Sequence, residues 1–232
     1  MIIRILLLFI ISISSAHTQP DYKAWDVFLK KYVTASGEVN YTAIKAKRGD
    51  LDAIVKSFEN TKVETSWSKD DQLAFWINAY NVFTVKLIVD NFPLKSIQNL
   101  DKGKTWDVQR FVVGGNKFSL NNIENDIIRA RFKDARIHFA VNCAAKSCPP
   151  LLNGAFFSKT LDKQLTDQTV KFFNNSKYQN ITAASVSLSK IMDWYRSDFG
   201  NMISFINQYS KTKVNSNAKI SFLEYDWALN GK

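Results

Sequence analysis

The stretch Arg136-Ile-His-Phe-Ala-Val-Asn-Cys-Ala-Ala-Lys-Ser-Cys-Pro-Pro150 holds both cysteines of the chain and one of its two histidines. Thiols and imidazoles carry nucleophilic, redox and soft-metal chemistry, so each of those readings passes through Cys143, Cys148 and His138. In acyl transfer or amide hydrolysis a cysteine attacks, an imidazole accepts its proton, and an amide such as Asn78 orients the ring or polarises a carbonyl. The candidate catalytic residues are therefore Cys143, His138 and Asn78. The leading reading of the cysteines themselves is a Cys143–Cys148 disulfide, because exported proteins oxidise paired cysteines and four intervening residues can close the loop. So short a loop constrains little of the unfolded chain, and its effect would be local, pinning the turn before Pro149-Pro150. The Cys-x4-Cys spacing is not the Cys-x-x-Cys of thioredoxin-like proteins, and a zinc site would have three soft ligands and lack a fourth. No cofactor and no resident metal is implied.

Geometry constrains the thiol reading. The segment Ile137 to Asn142 is short and apolar on both faces, which suits an interior strand with His138 in the core. Along a straight strand His138 and Cys143 would lie roughly 16 Å apart with side chains on opposite faces. A dyad needs the chain to turn back, and Ala144-Ala-Lys-Ser147 could provide that reversal.

Other elements must hold this segment. Apolar residues at Trp25, Phe28, Leu29 and Tyr32 follow the period of an amphipathic helix, and a second helix is expected over Leu51 to Phe58. From Leu73 to Val89 nearly every position is apolar, the mark of a helix buried all round. Ser68 is placed to cap it, and Asp70 and Asp71 suit its positive end. Asn78, Asn81 and Thr84 form one polar stripe on this helix, so they tie down neighbouring backbone or line a polar cavity. Trp106 to Val113, the turn Gly114-Gly-Asn116 and Lys117-Phe118 read as a β-hairpin. Ser119, or alternatively Asn121 with Glu124, caps a helix running to Phe132. Helices follow over Leu161 to Phe173, Ser189 to Phe199 and on to Tyr209, with strands near Val186 and Ile220 to Leu223. Trp194, Tyr195 and Phe199 read as core packing, Asp198 and Asp226 as caps or partners of arginine. The expected class is α+β, a single domain with a buried central helix packed against a small, partly antiparallel sheet.

Arg4, the apolar run Ile5 to Ile11 and Ser14-Ser-Ala16 read as an export signal over residues 1–16, leaving one domain over 17–232. The apolar run is too short to span a bilayer comfortably, and no later segment is long and apolar enough to do so. The expected location is secreted or periplasmic. A formal net charge of +10 favours an acidic envelope polymer or protein as partner. Scattered lysines and the lack of an arginine cluster or helix-turn-helix spacing argue against nucleic acid. There is no Gly-rich phosphate loop and no Ser nucleophile elbow.

Phe75-Trp-Ile-Asn-Ala-Tyr-Asn81, Ser119-Leu-Asn-Asn-Ile-Glu124 with Arg129, Ile137-His-Phe-Ala-Val-Asn-Cys143 and Lys146-Ser-Cys-Pro-Pro-Leu151 occur in the order of a known family. So do Leu188-Ser-Lys-Ile191 with Trp194-Tyr195 and Asp198-Phe199, and Tyr225-Asp-Trp-Ala-Leu-Asn230. Through these motifs the chain resembles the domain of unknown function 547 family. One departure stands out: where the family often has a histidine after the glutamate of its Ile-Glu motif, this chain has Asn125. The resemblance implies a distant relation to thiol enzymes of the papain and transglutaminase type, in which a central helix presents a nucleophile to a histidine on a strand. Asn78 or Asn81 would stand on the nucleophile's side, and since asparagine supplies no thiolate, Cys143 or Cys148 would substitute. The expected function is a non-catalytic envelope binding or scaffold domain with the Cys143–Cys148 disulfide. The alternative is a thiol-dependent hydrolase or acyl-transferase using a cysteine and His138.

Overall fold

Helix α4 (Lys69–Asn91) is the axis of the molecule, buried on every side from Leu73 to Val89 apart from Lys86. The computed structural model describes residues 21–232, so the leader expected over residues 1–16 lies outside the described residues. Ser68 caps α4 as its position suggests, its hydroxyl accepting the Asp71 N–H at 3.1 Å. Three helices, α1 (Lys23–Tyr32), α2 (Tyr41–Ala46) and α3 (Gly49–Asn60), cover one side. α1 buries Trp25, Phe28, Leu29 and Tyr32, the stripe set by its 3.6-residue period.

The hairpin is formed by β1 (Phe111–Val113) and β2 (Asn116–Phe118) in antiparallel register. Its turn uses Gly114 and Gly115 at φ 55° and 85°, values that glycine adopts without steric cost. Phe111 stacks on Phe83 of α4 at 4.8 Å, and Phe118 meets Trp76 edge-on at 5.4 Å. The expected strand was longer, but Thr105–Asp107 forms a 3-10 turn. Ser119 and Asn122 then cap reciprocally: the Ser119 hydroxyl accepts the Asn122 N–H, and the Asn122 side chain accepts the Ser119 N–H, each at 3.0 Å. That pair, not Asn121 with Glu124, opens a π-helical stretch, Asn122–Arg129, which runs into α5 (Ala130–Phe132).

A second core gathers Phe172, Val186, Leu188, Met202 and Ile206. It lies between α6 (Leu161–Phe173), α8 (Met202–Tyr209) and a sheet of β3 (Asn180–Ile181), β4 (Ser185–Leu188) and β5 (Lys219–Phe222). β3 pairs antiparallel with β4, and β4 parallel with β5. The fold is α+β, with the partly antiparallel sheet over this second core and the hairpin against the central helix. The helix expected from Ser189 to Phe199 is broken. α7 (Ile191–Trp194) ends where Tyr195 leaves helical geometry at φ −108°, ψ 27°, and a 3-10 turn, Arg196–Phe199, follows.

The segment Ile137 to Asn142 is not a strand, which corrects the sequence expectation. Ala135–Phe139 is a 3-10 turn capped by Asp134, whose side chain accepts the Arg136 N–H. Beyond it the backbone is paired by a side chain of α4 and not by another strand. Asn81 donates to the Ala140 carbonyl and accepts the Asn142 N–H, both at 2.9 Å. Asn78 does the same for Phe156, donating to its carbonyl at 2.8 Å and accepting its N–H at 3.0 Å. A primary amide carries the donor and acceptor of a peptide group, so each asparagine stands in for a neighbouring strand. The apolar character of Ile137 to Asn142 comes from burial against α4, and periodicity alone could not separate the two causes.

Candidate functional site

The cysteine loop is held open by its own backbone. Ala144 sits at φ 62°, a left-handed conformation that costs a non-glycine residue about 1–2 kcal/mol and clusters at functional sites. Asn142 enforces it, its side-chain oxygen accepting the Ala144 N–H at 2.9 Å while its amide donates to the Pro149 carbonyl at 2.7 Å. The chain thus reverses between Cys143 and Cys148.

The other face of the loop is closed by residues 225–232, a C-terminal strap. Lys146 and Ser147 donate their N–H groups to the carbonyls of Ala228 and Asp226, and Asn230 donates its own to Ala144. The strap is anchored in turn where Val39 bridges Gly231. A Cβ at Gly231 would stand 1.9 Å from the Val39 carbonyl oxygen, so only glycine allows this approach.

Strap and loop bound a cavity of about 380 Å³ that reaches Cys143, Cys148, His138 and Glu124. The half-buried Cys143 Sγ lies 3.2 Å from the Tyr225 hydroxyl. Its pKa is lowered, first by the hydrogen bond from Cys148, then by those from Tyr225 and the Ala145 backbone, against the opposing effect of burial. Cys148 is the reverse case: burial and its neighbour's charge push its thiol up. Tyr225 also keeps its proton, because burial and the charge of the neighbouring cysteine pair raise its pKa well above the ordinary value. Within the pair the environment thus favours the charged form at Cys143 over Cys148. The two sulfurs are not bonded to each other; the Cys143 N–H donates to the Cys148 Sγ at 3.0 Å.

Opposite the thiol stands Glu124, a buried carboxyl on the π-helical stretch, where the irregular winding recurs near functional sites. Burial raises its pKa, partly offset by hydrogen bonds from Tyr195 and Tyr80 and by Arg129. The Tyr195 hydroxyl donates to Glu124 Oε1 at 2.7 Å. The Tyr195 ring is itself clamped, with His138 stacked on it at 4.0 Å and the Arg129 guanidinium 4.7 Å from its centroid. Asp198 ties the clamp together: it receives Arg129 through two bonds at 2.7 and 2.9 Å and lies 2.8 Å from His138 Nε2. Burial alone would push the Asp198 carboxyl up, but Arg129 and His138 outweigh it and bring it to about 2. Burial, aided by Arg129, lowers His138 to about 4 despite Asp198. At neutral pH the ring is uncharged, its Nε2–H donates to Asp198, and Nδ1 is a buried lone pair without a partner among the described residues.

Of the candidates read from the sequence, Cys143 and His138 reach the cavity and Asn78 does not border it, its amide being committed to the Phe156 backbone. His138 bonds neither cysteine; its contacts are Asp198, Tyr195 and Phe199. Asp198 is the arginine partner that its setting suggested. Glu124, Tyr195 and Tyr225 were missed as site residues. The available signal was weak: a lone glutamate among buried isoleucines at 123, 127 and 128, and aromatics at 225 and 227 in a tail with no helical or strand period. No group of three His, Cys, Asp or Glu side chains is placed to hold a metal among the described residues. No helix among them is long and apolar enough to cross a membrane.

Residues 64–173 match the model of the family described as Protein of unknown function, DUF547. No curated protein and no solved structure matches the chain. The matched residues include Glu124, His138 and both cysteines, whereas Tyr195, Asp198 and Tyr225 lie beyond them.

Proposed function

Because the chain belongs to the DUF547 family through residues 64–173, a membership that brings no established reaction, its chemistry has to be argued from the site, and we propose a thiol-dependent hydrolase or acyl-transferase with Cys143 as nucleophile. The observation that carries this reading is the Cys143 thiol itself, within 3.2 Å of the Tyr225 hydroxyl, in a cavity shared with a buried carboxyl. A low-pKa thiol in a concave site is the setting of a reactive cysteine, while structural buried cysteines are inert.

The thiolate attacks a substrate carbonyl carbon, forming a C–S bond, as the leaving amine or alcohol takes the proton of the Glu124 carboxyl. Burial supports that role by holding Glu124 protonated to a higher pH than an exposed glutamate. Water then attacks the thioester and gives a proton to the Glu124 carboxylate. The C–S bond breaks, the acid leaves, and thiolate and carboxyl are restored; an amine or alcohol in place of water completes an acyl transfer. Tyr195, held between His138 and Arg129, is a positioning residue that fixes the carboxyl through its 2.7 Å bond.

A second reading, a non-catalytic envelope binding domain with a Cys143–Cys148 disulfide, is favoured by the 3.0 Å contact between the Cys143 N–H and the Cys148 sulfur. Alkylation of the purified protein, native and unfolded, with and without reductant, separates the two. Rapid native labelling of Cys143 below the ordinary thiol pKa, lost in Cys143→Ser, is the result expected here. If both cysteines resist alkylation until reduced, the disulfide reading replaces it. The leader-like run over residues 1–16 supports work outside the cytoplasm, and the net charge of +10 supports an acidic envelope polymer as surroundings.

A further inference from the structure

Three tryptophans and a tyrosine make one continuous wall at the cavity. Tyr225 and Trp227 lie 4.6 Å apart, Trp194 is 4.8 Å from Tyr225 and 5.8 Å from Trp227, and Trp106 is 5.6 Å from Trp227. Trp194 is 47% exposed, an unusual setting for a tryptophan packed on two other rings unless its free face has a use. Two carboxyl groups border the same space, Glu124 inside and the exposed Asp107. Asp107 is held by the Asn121 amide at 2.5 Å and joins no ion pair among the described residues.

Among the described residues no lysine or arginine borders this cavity, although the chain has 31 of them against 21 acids. His138 brings a second, independent indication, since its Nδ1 is buried without a partner and offers an acceptor, not a donor. Aromatic faces, the Asp107 carboxylate, a thiol favoured in its charged form and a bare lone pair all favour positive charge, and no cationic side chain in the lining opposes it.

We infer that the cavity takes a substrate bearing a cationic ammonium group, seated against the Trp194 and Trp227 wall with Asp107 beside it. The inference names a substrate class for the Cys143 reaction and rests on that reading. An ammonium so placed carries the amine or acyl portion of the substrate toward the thiol, while an acidic polymer outside is kept from the cavity by like charge.

The test compares choline with 3,3-dimethylbutan-1-ol, its uncharged isostere, by titrating tryptophan fluorescence of the wild-type protein and of Cys143→Ser. Choline is expected to bind about tenfold more tightly than the isostere. Asp107→Asn and Trp194→Leu should each shrink that preference, with unchanged urea midpoints showing an intact fold. Equal affinities, tighter binding of the alcohol, or no saturable choline binding up to about 0.1 M would overturn the inference. The outcomes are separable from those of the thiol reading. Choline preference retained in a protein whose cysteines resist native alkylation leaves this inference standing without the enzyme, and rapid Cys143 alkylation without choline preference does the reverse.

Discussion

Replacing Tyr225 by phenylalanine removes one oxygen from the thiol site and leaves the aromatic wall in place. The ring keeps its contacts with Trp194 at 4.8 Å and Trp227 at 4.6 Å, so what is lost is the hydroxyl 3.2 Å from Cys143 Sγ. A hydrogen bond to a charged group contributes about 1.5–3 kcal/mol, and a diffuse thiolate belongs at the lower end. At about 1.4 kcal/mol per factor of ten, the thiolate-to-thiol ratio at Cys143 should fall about tenfold at any fixed pH. It should not collapse further, because the Cys148 thiol and the Ala145 backbone remain as donors. The assay is the rate of iodoacetamide alkylation of Cys143 against pH, followed by intact mass in wild type and Tyr225→Phe. The profile of the variant should move to higher pH while its urea midpoint stays close to that of wild type. An unmoved profile, or one displaced to lower pH, would refute the claim that Tyr225 donates to a thiolate.

Asn78→Ala should cost about 2–4 kcal/mol, because the buried Phe156 N–H and carbonyl lose their partners together. Urea unfolding measures it; a loss under 1 kcal/mol, or a large change in Cys143 alkylation in the folded variant, would contradict a purely structural Asn78. His138 is held at about 4 in the fold against 6.5 as a free group, so between those values the unfolded chain binds more protons and stability falls as the pH drops. The loss is roughly 3 kcal/mol, read as the difference in pH dependence between wild type and His138→Asn because buried Glu124 works in the opposite sense. An NMR titration of the ring with its midpoint above pH 6 would refute it. Asp198 adds a further loss as pH falls from 3.8 toward 2. Gly231→Ala, which drives a methyl group into Val39, should destabilise by about 1–3 kcal/mol and slow Cys143 alkylation at neutral pH. Stability and alkylation both unchanged would mean that the strap does not support the thiol.

Elements set by local pattern were legible in the sequence. α1, α4 and α6 follow from apolar period, continuous apolarity and the Ser68 cap, which depend on neighbours within a few residues. What failed was the strand over Ile137 to Asn142, whose backbone is satisfied by an asparagine 61 residues earlier in the chain. No local period records such a bond. Cys143 and His138 were legible because thiols and imidazoles are scarce and chemically distinct. Glu124, Tyr195 and Tyr225 are common residue types whose meaning arises from contacts across 71 and 82 positions. The reading of His138 as a partner of cysteine missed the same fact, since its partner Asp198 lies 60 residues away.

The strap has a consequence for the order of events during synthesis. Residues 225–232 leave the ribosome after every other wall of the cavity, and they bring Tyr225 and Trp227 and the bonds that fasten the loop at Ala144, Lys146 and Ser147. A nascent chain lacking them has a cysteine without its hydroxyl donor and a loop without its lid. On the proposed thiol reading, the full reactivity of Cys143 waits until this strap has been made and packed against the loop.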